Sequence, residues 1–327
     1  MGRAIRVQFP GACYHVINRG NYRRSLFDGK GAAAAFVCAL GEAATRFGWR
    51  IHAYVVMRNH FHLALQISEP NLSEGMKWLQ GTWVLRTNRY GGLVGRPFQG
   101  RFKALLVEPG IRFAQVCHYI HLNPIRARLV TFNTYSKFKF SSYSAFRRRG
   151  RPGWLDPTTV LEAAGLVDAP KGWVAYATYL EILSNDAAAK IEMRSTRLSR
   201  GWCLGTTEFR NLAVVQVEER LRSQTWTRFD GVEPQGVQEL KEAIWAERLN
   251  RFAVAASINL SALPAKKGAS QKVLLAAAMK RVTSVSNAWL CSRLQMGAPD
   301  ALSVHIRRWI ASPENPRRVE KLLEAGV

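Results

Sequence analysis

The chain has 327 residues, of which 47% are hydrophobic and 21% charged, a balance typical of a folded globular protein and not of a disordered one. Its 47 Lys and Arg against 23 Asp and Glu give a net charge of +24. This favours a polyanionic partner, because Lys and Arg gain affinity by releasing counterions from phosphates. No apolar run is long enough to span a bilayer and no signal-peptide pattern is present, so nucleic acid is a better prediction than a membrane surface.

The five cysteines are widely spaced and include no Cys-x-x-Cys pair. Neither a zinc knuckle nor a disulfide framework is therefore indicated. We expect a reduced, cytoplasmic protein associated with the nucleoid, as a monomer or a homodimer.

The first part of the chain alternates between strand and helix signals. Period-two alternation predicts strands, and apolar residues at helical spacing predict helices. In chain order the predicted elements are a strand at 13–20, a helix at 31–47 closed by Gly48, two strands within 49–66 joined by a tight turn at 57–59, a helix at 73–90, a turn and strand at 98–108, and a helix from 111 to about 123, which Pro124 ends. This order predicts an α+β fold, a ferredoxin-like antiparallel sheet with helices on one face.

After Trp154 the strand signals thin out and amphipathic helices dominate, following a basic linker at 147–153. We therefore predict three regions, at 1–150, 151–260 and 261–327, the last two mostly helical. The predicted helices lie at 161–164, 176–183, 214–221, 237–252 and 272–281.

A helix-turn-helix-like hairpin is predicted near the end of the chain. A helix at 286–297 containing a glycine at its end is followed by a short turn and a second helix at 301–310. The second helix carries Arg307 and Arg308, which predicts contact with DNA. A helical hairpin with a purely structural role has the same pattern.

His60-Phe61-His62 is the sharpest local signal. On a strand, residues two apart share a face, so both imidazoles can bind one cation while Phe61 enters the core. Two polar residues on a solvated strand face would show the same pattern. Six of the seven histidines lie within the first 121 residues, which favours the metal site. We expect His15 and His118 to be structural residues in the neighbourhood of this site.

Tyr119 and Asn123 form the second signal, because residues four apart share one face of a helix. If that face meets the histidine strand, Asn123 can supply a third, oxygen ligand, and the Tyr119 phenol lies beside the same metal. Two imidazoles and one amide oxygen leave positions open for phosphate oxygens. A buried tyrosine, with Asn123 capping the helix before Pro124, fits the same spacing. His121 should point away from Tyr119.

Four motifs follow one another along the first part of the chain: a strand ending in Asn-Arg-Gly at 14–20, Met-x-Asn-His-Phe-His at 57–62, a Phe-Gln-Gly-Arg turn at 98–101, and the helix containing Tyr119 with its continuation at 119–130. In this order they are similar to the motifs of the single-tyrosine HUH transposases, and specifically of the REP-associated tyrosine transposases. Two departures from the family pattern, Ile125 for valine and Arg128 for glycine, lie beyond the predicted helix end and affect no catalytic position. The resemblance covers about residues 8–156 and is weak thereafter.

The resemblance implies an HUH nuclease domain that nicks and rejoins DNA. Mg²⁺ or Mn²⁺ on His60, His62 and Asn123 would polarise the scissile phosphate. A phenol is a weak nucleophile unless activated, and Tyr119 would become joined to a 5′-phosphate, leaving a free 3′-OH. One phosphodiester is exchanged for another, so rejoining needs no ATP.

The implied partner is single-stranded or hairpin DNA. Tyr22 and Trp83 are candidate stacking platforms, Trp83 being equally explained as a core residue. The residues expected to position the DNA are Asn18, Arg19, Arg101, Lys103 and Arg126.

Two rival functions use the same residues. A zinc hydrolase can begin its site with His-x-His, but such sites need further His or Asp ligands, and Leu63-Ala64-Leu65 follows here. A DNA-binding regulator would need only the basic surface and the hairpin. A covalent protein–DNA adduct would distinguish the tyrosine nuclease from both.

Overall fold

The computed structural model describes residues 6–29, 31–92, 94–148, 150–186, 198, 201–221 and 234–325. The chain forms two compact units. The first is built mainly from Arg6–Phe209, and the second mainly from Arg210–Phe229 and Gln238–Val327. The predicted boundaries at residues 150 and 260 remain predictions. Within the described ranges, no helix combines the length and hydropathy needed to cross a membrane.

The first unit begins with the predicted order of elements, which is confirmed from the first strand to the third helix. The turn between the second and third strands is closed by a hydrogen bond from the Met57 N–H to the His60 carbonyl, 2.8 Å long. The elements are β1 (Cys13–Arg19), α1 (Ala32–Phe47), β2 (Trp49–Val56), β3 (His60–Ile67), α2 (Leu72–Gly91), β4 (Lys103–Val107) and α3 (Ile111–Arg126).

The sheet has the strand order β2-β3-β1-β4-β5, where β5 is the short strand Cys203–Leu204. The first four strands are antiparallel to their neighbours, and β5 runs parallel to β4. The sequence analysis did not predict β5, because two residues leave no periodicity. Among the residues described between β4 and β5, four further helices follow α3: α4 (Phe132–Tyr135), α5 (Ser142–Phe146), α6 (Thr158–Glu162) and α7 (Pro170–Asn185).

The edge strand β2 is covered by the chain that follows α3. The Val56 N–H donates to the Phe140 carbonyl and the Ile51 N–H to the Trp154 carbonyl, both over 2.9 Å. Pairing of this kind satisfies backbone groups that an open edge would leave exposed. The segment predicted as a basic linker is therefore followed at once by chain that belongs to the sheet unit.

Helices cover both faces of the sheet, so the expectation of helices on one face was wrong. Successive side chains of β3 point to opposite faces. Phe61 meets Phe36 of α1, with ring centroids 4.6 Å apart, while His62 meets Tyr119 of α3 at 5.8 Å. A strand that is buried on both sides, as Phe61, Leu63 and Ala64 show, needs packing partners on both sides.

Helix α3 continues through Pro124 to Arg126, so the prediction that Pro124 ends it was wrong. Proline in a helix lacks one N–H and removes a single backbone hydrogen bond. Here Pro124 is buried, and the Ala127 N–H still donates to the Asn123 carbonyl over 2.9 Å. Packing of the buried face therefore outweighs the local preference.

The second half of the described chain is helical, as predicted. In the predicted hairpin, the Ser286 side chain accepts from the Trp289 N–H and caps the first helix, and the left-handed Gln295 ends it. Arg307 and Arg308 are exposed on the next helix. These helices are α8 (Thr207–Leu221), α9 (Pro234–Ala255), α10 (Ser270–Val282), α11 (Asn287–Leu294), α12 (Pro299–Ile310) and α13 (Glu314–Ala325).

Candidate active site

His60 and His62 lie on the same face of β3, opposite Phe61, as the spacing predicts. Their ring centroids are 5.1 Å apart, and His62 is buried while His60 is half-buried. Burial lowers the pKa of His60 to about 4, helped by the charge of Arg19. Burial also lowers the pKa of His62 well below its usual value, with smaller contributions from neighbouring positive groups. Both rings are therefore neutral at neutral pH, the form that binds metals.

Asn59 holds the His60 ring. The Asn59 amide nitrogen donates to the Arg23 carbonyl over 2.9 Å, which turns the amide oxygen towards His60. His60 Nδ1 lies 2.7 Å from that oxygen. An amide oxygen accepts, so Nδ1 carries the proton and Nε2 keeps its lone pair.

His15 belongs to the same site, which the sequence analysis missed. It lies on β1, next to β3, and its Nε2 is 2.9 Å from His62 Nδ1. Its own Nδ1 is 2.6 Å from the Leu198 carbonyl oxygen. Burial lowers the pKa of His15 to about 4 although the Leu198 hydrogen bond acts in the opposite direction. The only sequence signal was its place on a strand with the same period as the His60 strand.

Tyr119 lies on α3 against the histidines. Its ring meets those of His15 and His62 edge-on, each with centroids 5.8 Å apart. The guanidinium carbon of Arg126 lies 5.0 Å from the Tyr119 ring centroid. These residues are seven apart, two turns of helix, and so share one face of α3.

Asn123 is half-buried one turn after Tyr119, and its amide nitrogen donates to the Tyr119 carbonyl over 2.9 Å. It is not the helix cap, because the cap position is Ala127. The amide oxygen faces away from the Tyr119 carbonyl, since the nitrogen faces it. Asn123 as a metal ligand stays a prediction.

Two of the predicted DNA contacts lie on the histidine face. Residues directly opposite each other in an antiparallel sheet share a face. Arg19 of β1 lies opposite His60 of β3. Lys103 of β4 lies opposite Ile17 of β1, and Ile17 in turn lies opposite His62. The Arg19 and Lys103 side chains are exposed, as is that of Arg101 in the turn before β4. The Gln99 N–H donates to the Arg19 carbonyl over 2.9 Å, so this turn lies at the same end of the sheet as His60.

Asn18 and Trp83 have a different place from the one predicted. Asn18 is 6% exposed on the Phe61 side of the sheet, and its amide donates to the Gly100 carbonyl over 3.3 Å. It holds the turn and does not face solvent. Trp83 is buried against Phe36 and Phe98, so it is a core residue and the stacking prediction was wrong. Tyr22 is 84% exposed.

The remaining histidines of the first unit lie away from Tyr119. His118 and His121, on the other side of α3, both contact the Tyr176 hydroxyl. His52 contacts Thr159 and the Phe113 ring. His118 therefore has the structural role expected, and His121 points away from Tyr119 as predicted.

The donors fit a divalent cation bound by two imidazoles and completed by oxygen ligands. His60 has its Nδ1 engaged by an amide oxygen, and its Nε2 is available. In the part of the chain that the structure describes, no group of three or more His, Cys, Asp or Glu side chains is arranged to hold a metal ion. Oxygen atoms of an amide, of phosphate or of water would suit the remaining positions of such a cation.

Residues 9–123 match the profile of the family described as "Transposase IS200 like". This part of the chain is therefore similar to members of that family. A solved structure described as "Structure of the REP associates tyrosine transposase bound to a REP hairpin" is similar over 47% of this chain and 90% of that chain, with 18% identity and a TM-score of 0.38. Among proteins with a curated description, none matches the sequence.

Proposed function

We propose that this transposase nicks and rejoins single-stranded DNA beside a hairpin, with Tyr119 as nucleophile and Mg²⁺ or Mn²⁺ held by His60, His62 and Asn123. The observation that carries this proposal is the contact of the Tyr119 ring with His62, under the guanidinium of Arg126. The neutral imidazoles could bind the metal ion beside the phenol, and the Arg126 guanidinium adds a positive charge there. This arrangement suits attack by the phenol oxygen on a phosphodiester. The net charge of +24 supports a nucleic acid substrate.

In the proposed reaction the Tyr119 oxygen attacks phosphorus and the bond from phosphorus to the 3′-oxygen breaks. The phenol loses its proton and the 3′-oxygen gains one, which leaves a 5′-phosphotyrosine and a 3′-OH. Rejoining is the same exchange in reverse. The cation would polarise the phosphate and offset its developing charge.

Arg126 would act on both partners of this step. Its guanidinium lies over the Tyr119 ring, so it would hold that ring in place and would donate hydrogen bonds to a phosphate brought to the phenol. Arg19 and Lys103, exposed on the same face of the sheet, would hold the flanking backbone. The rigid sheet and α3 would thus bring phosphate and phenol together before reaction.

A covalent-adduct assay tests the proposal. The protein is incubated with Mn²⁺ and a pool of single-stranded oligonucleotides that carry a stem-loop and randomised flanks. Label at the 3′ end should remain on the protein in a denaturing gel, because Tyr119 would hold the 5′-phosphate of the downstream piece. Label at the 5′ end should be released with a free 3′-OH.

The matched variants are Tyr119→Phe and Tyr90→Phe. Tyr90 is 79% exposed at the end of α2, so the second variant removes a hydroxyl outside the site. The adduct should form with the wild type and Tyr90→Phe, and disappear with Tyr119→Phe although DNA binding is kept. An adduct that persists in Tyr119→Phe refutes the assignment of the nucleophile.

The zinc hydrolase alternative is less well supported. Such a site needs a third protein ligand of the His, Asp, Glu or Cys type, and the described residues place no such side chain with His60 and His62 in a metal-holding group. The same gel tests the other alternative, a DNA-binding regulator without catalytic activity, because such a protein would bind DNA without forming a covalent adduct.

A further inference from the structure

Three groups form a buried line of hydrogen bonds that ends at the proposed metal site. His15 Nδ1 lies 2.6 Å from the Leu198 carbonyl oxygen, and His15 Nε2 lies 2.9 Å from His62 Nδ1. His15 is 0% exposed and His62 is 5% exposed. The two rings are nearly parallel, with 26° between their planes and 5.1 Å between centroids.

The carbonyl at one end fixes the direction of the whole line. A carbonyl oxygen only accepts, so His15 Nδ1 carries a proton and donates it. In the neutral ring the other nitrogen, Nε2, is then an acceptor. His62 Nδ1 must donate to it, which leaves the lone pair of His62 on Nε2.

His60 reaches the same tautomer by a different route. The Asn59 amide oxygen, oriented by the Arg23 carbonyl, accepts from His60 Nδ1. Both His60 and His62 therefore keep the lone pair on Nε2. The groups that fix the two tautomers differ: Asn59 accepts from His60, and His15 accepts from His62. Each ring then has a lone pair on Nε2, the nitrogen left to bind a shared cation once Nδ1 donates its proton to another group.

We propose that His15 is a positioning residue, which holds His62 in the Nδ1-protonated tautomer so that Nε2 is free to bind the divalent cation. His15 is not itself a ligand, because both of its nitrogens are already engaged. Leu198 contributes through its backbone, so its side chain does not determine the effect. This inference rests on the proposed function for the identity of the metal pair, but not on Tyr119 or on DNA.

The first test needs no substitution. Two-bond ¹H–¹⁵N spectra of the metal-free, ¹⁵N-histidine-labelled protein distinguish a protonated ring nitrogen from one with a lone pair. His62, assigned by comparison with His62→Gln, should be protonated at Nδ1 and not at Nε2. The opposite tautomer overturns the proposal.

The second test compares substitutions by Mn²⁺ titration calorimetry without DNA. His15→Phe keeps the ring volume but removes the acceptor, and should weaken Mn²⁺ binding by about 10- to 100-fold, the usual effect of losing a group that orients a metal ligand. His15→Gln places an amide oxygen near the Nε2 position and should restore most of that loss. His52→Phe is the matched control, since His52 is also buried on a strand but lies outside the site.

Each outcome is decisive. Equal Mn²⁺ affinity in the wild type and in His15→Phe, with both variants folded by circular dichroism, overturns the positioning role. Equal losses in His15→Phe and His15→Gln also overturn it, because His15 would then be needed as an imidazole ligand. If the wild type itself binds no Mn²⁺, the proposed function fails, and the spectra of the metal-free protein still decide the tautomer.

Discussion

The Tyr176 hydroxyl is one of the groups that anchor α3, the helix that carries Tyr119, and removing it tests how much it stabilises the first unit. Tyr176 of α7 is buried, and its hydroxyl lies 3.0 Å from His118 Nδ1 and 2.8 Å from His121 Nδ1. Burial raises the pKa of Tyr176 well above its usual value, so the hydroxyl keeps its proton. It can therefore donate to one ring and accept from the other.

The neighbouring hydrogen bonds decide which ring donates. Ser142 donates to the Tyr54 carbonyl over 3.2 Å, so its oxygen accepts from His121 Nε2 at 2.7 Å. His121 Nδ1 is then an acceptor and receives the Tyr176 proton, while His118 Nδ1 donates to the Tyr176 oxygen. His118 Nε2, which has no hydrogen-bond partner among the described residues, is left as an acceptor.

The perturbation is Tyr176→Phe, which keeps the ring and removes only the hydroxyl. It leaves one buried donor and one buried acceptor unsatisfied, each costing about 1–3 kcal/mol. We expect the free energy of unfolding to fall by about 3 kcal/mol, measured by urea denaturation followed by circular dichroism. Tyr179→Phe is the control, because Tyr179 is half-buried on the same helix and contacts His118 with its ring. A loss under about 0.5 kcal/mol for Tyr176→Phe, or equal losses for both variants, would refute the assigned network.

Two further predictions concern buried charge. Burial lowers the pKa of His121 to about 3. In the unfolded chain this imidazole binds a proton as the pH falls below about 6.5, whereas in the folded chain it stays neutral until the pH is near 3. The stability that the neutral ring contributes above pH 6.5 is therefore lost as the pH falls. Replacing His121 by Gln should remove about 1.4 kcal/mol per pH unit from the slope of unfolding free energy between pH 6.5 and about 4, and an unchanged slope would contradict this. In the second unit Glu218 is buried, with Oε1 2.6 Å from Arg248 and Oε2 2.8 Å from Arg251. Glu218→Gln should cost about 3–5 kcal/mol. Glu247→Gln, in the half-buried pair that Glu247 forms with Arg251 one helical turn away, should cost under about 0.5 kcal/mol in the same urea titration; similar losses would show that full burial of the carboxylate does not matter.

The parts of the site predicted correctly from the sequence depend on local periodicity. The alternation of His60, Phe61 and His62 is a property of any strand, so the placement of both imidazoles on one face followed directly. The spacing of Tyr119 and Asn123 likewise placed them on one face of α3. What made these faces meet was the order of elements, which the sequence also predicted.

The missed parts depend on contacts between distant segments. His15 and Leu198 are 183 residues apart, and no local pattern relates a carbonyl at one position to an imidazole at the other. The register of β1 against β3, which places His15 beside His62, is also set only by the complete sheet. Sequence periodicity therefore identified the proposed metal pair, but not the imidazole that we propose orients it.

The continuation of α3 through Pro124 shows how a local rule can conceal part of a site. Proline predicts a helix end because of the hydrogen bond that it removes. Had α3 ended at Asn123, Arg126 would not lie two turns after Tyr119 on one helical face. In the structure it does, and its guanidinium lies over the Tyr119 ring. The arginine was predicted to contact DNA, but its place beside the phenol depended on buried packing that outweighed the local rule.

The role of Asn123 in the proposed site has two explanations. They predict opposite shifts in the Mn²⁺ concentration needed for cleavage by an Asn123→Asp variant. Its amide nitrogen donates to the Tyr119 carbonyl, so it either supplies an oxygen ligand or only supports the backbone at Tyr119. Asn123→Ala and Asn123→Asp both lose that donor. If support is the whole role, both should therefore raise the Mn²⁺ concentration needed for half-maximal cleavage. If the oxygen is a ligand, Ala should raise that concentration several-fold, while Asp, which adds a charged oxygen at the same place, should lower it. Cleavage titrated against Mn²⁺ for the wild type and both variants decides between them, and shifts in the same direction would leave the metal with two protein ligands.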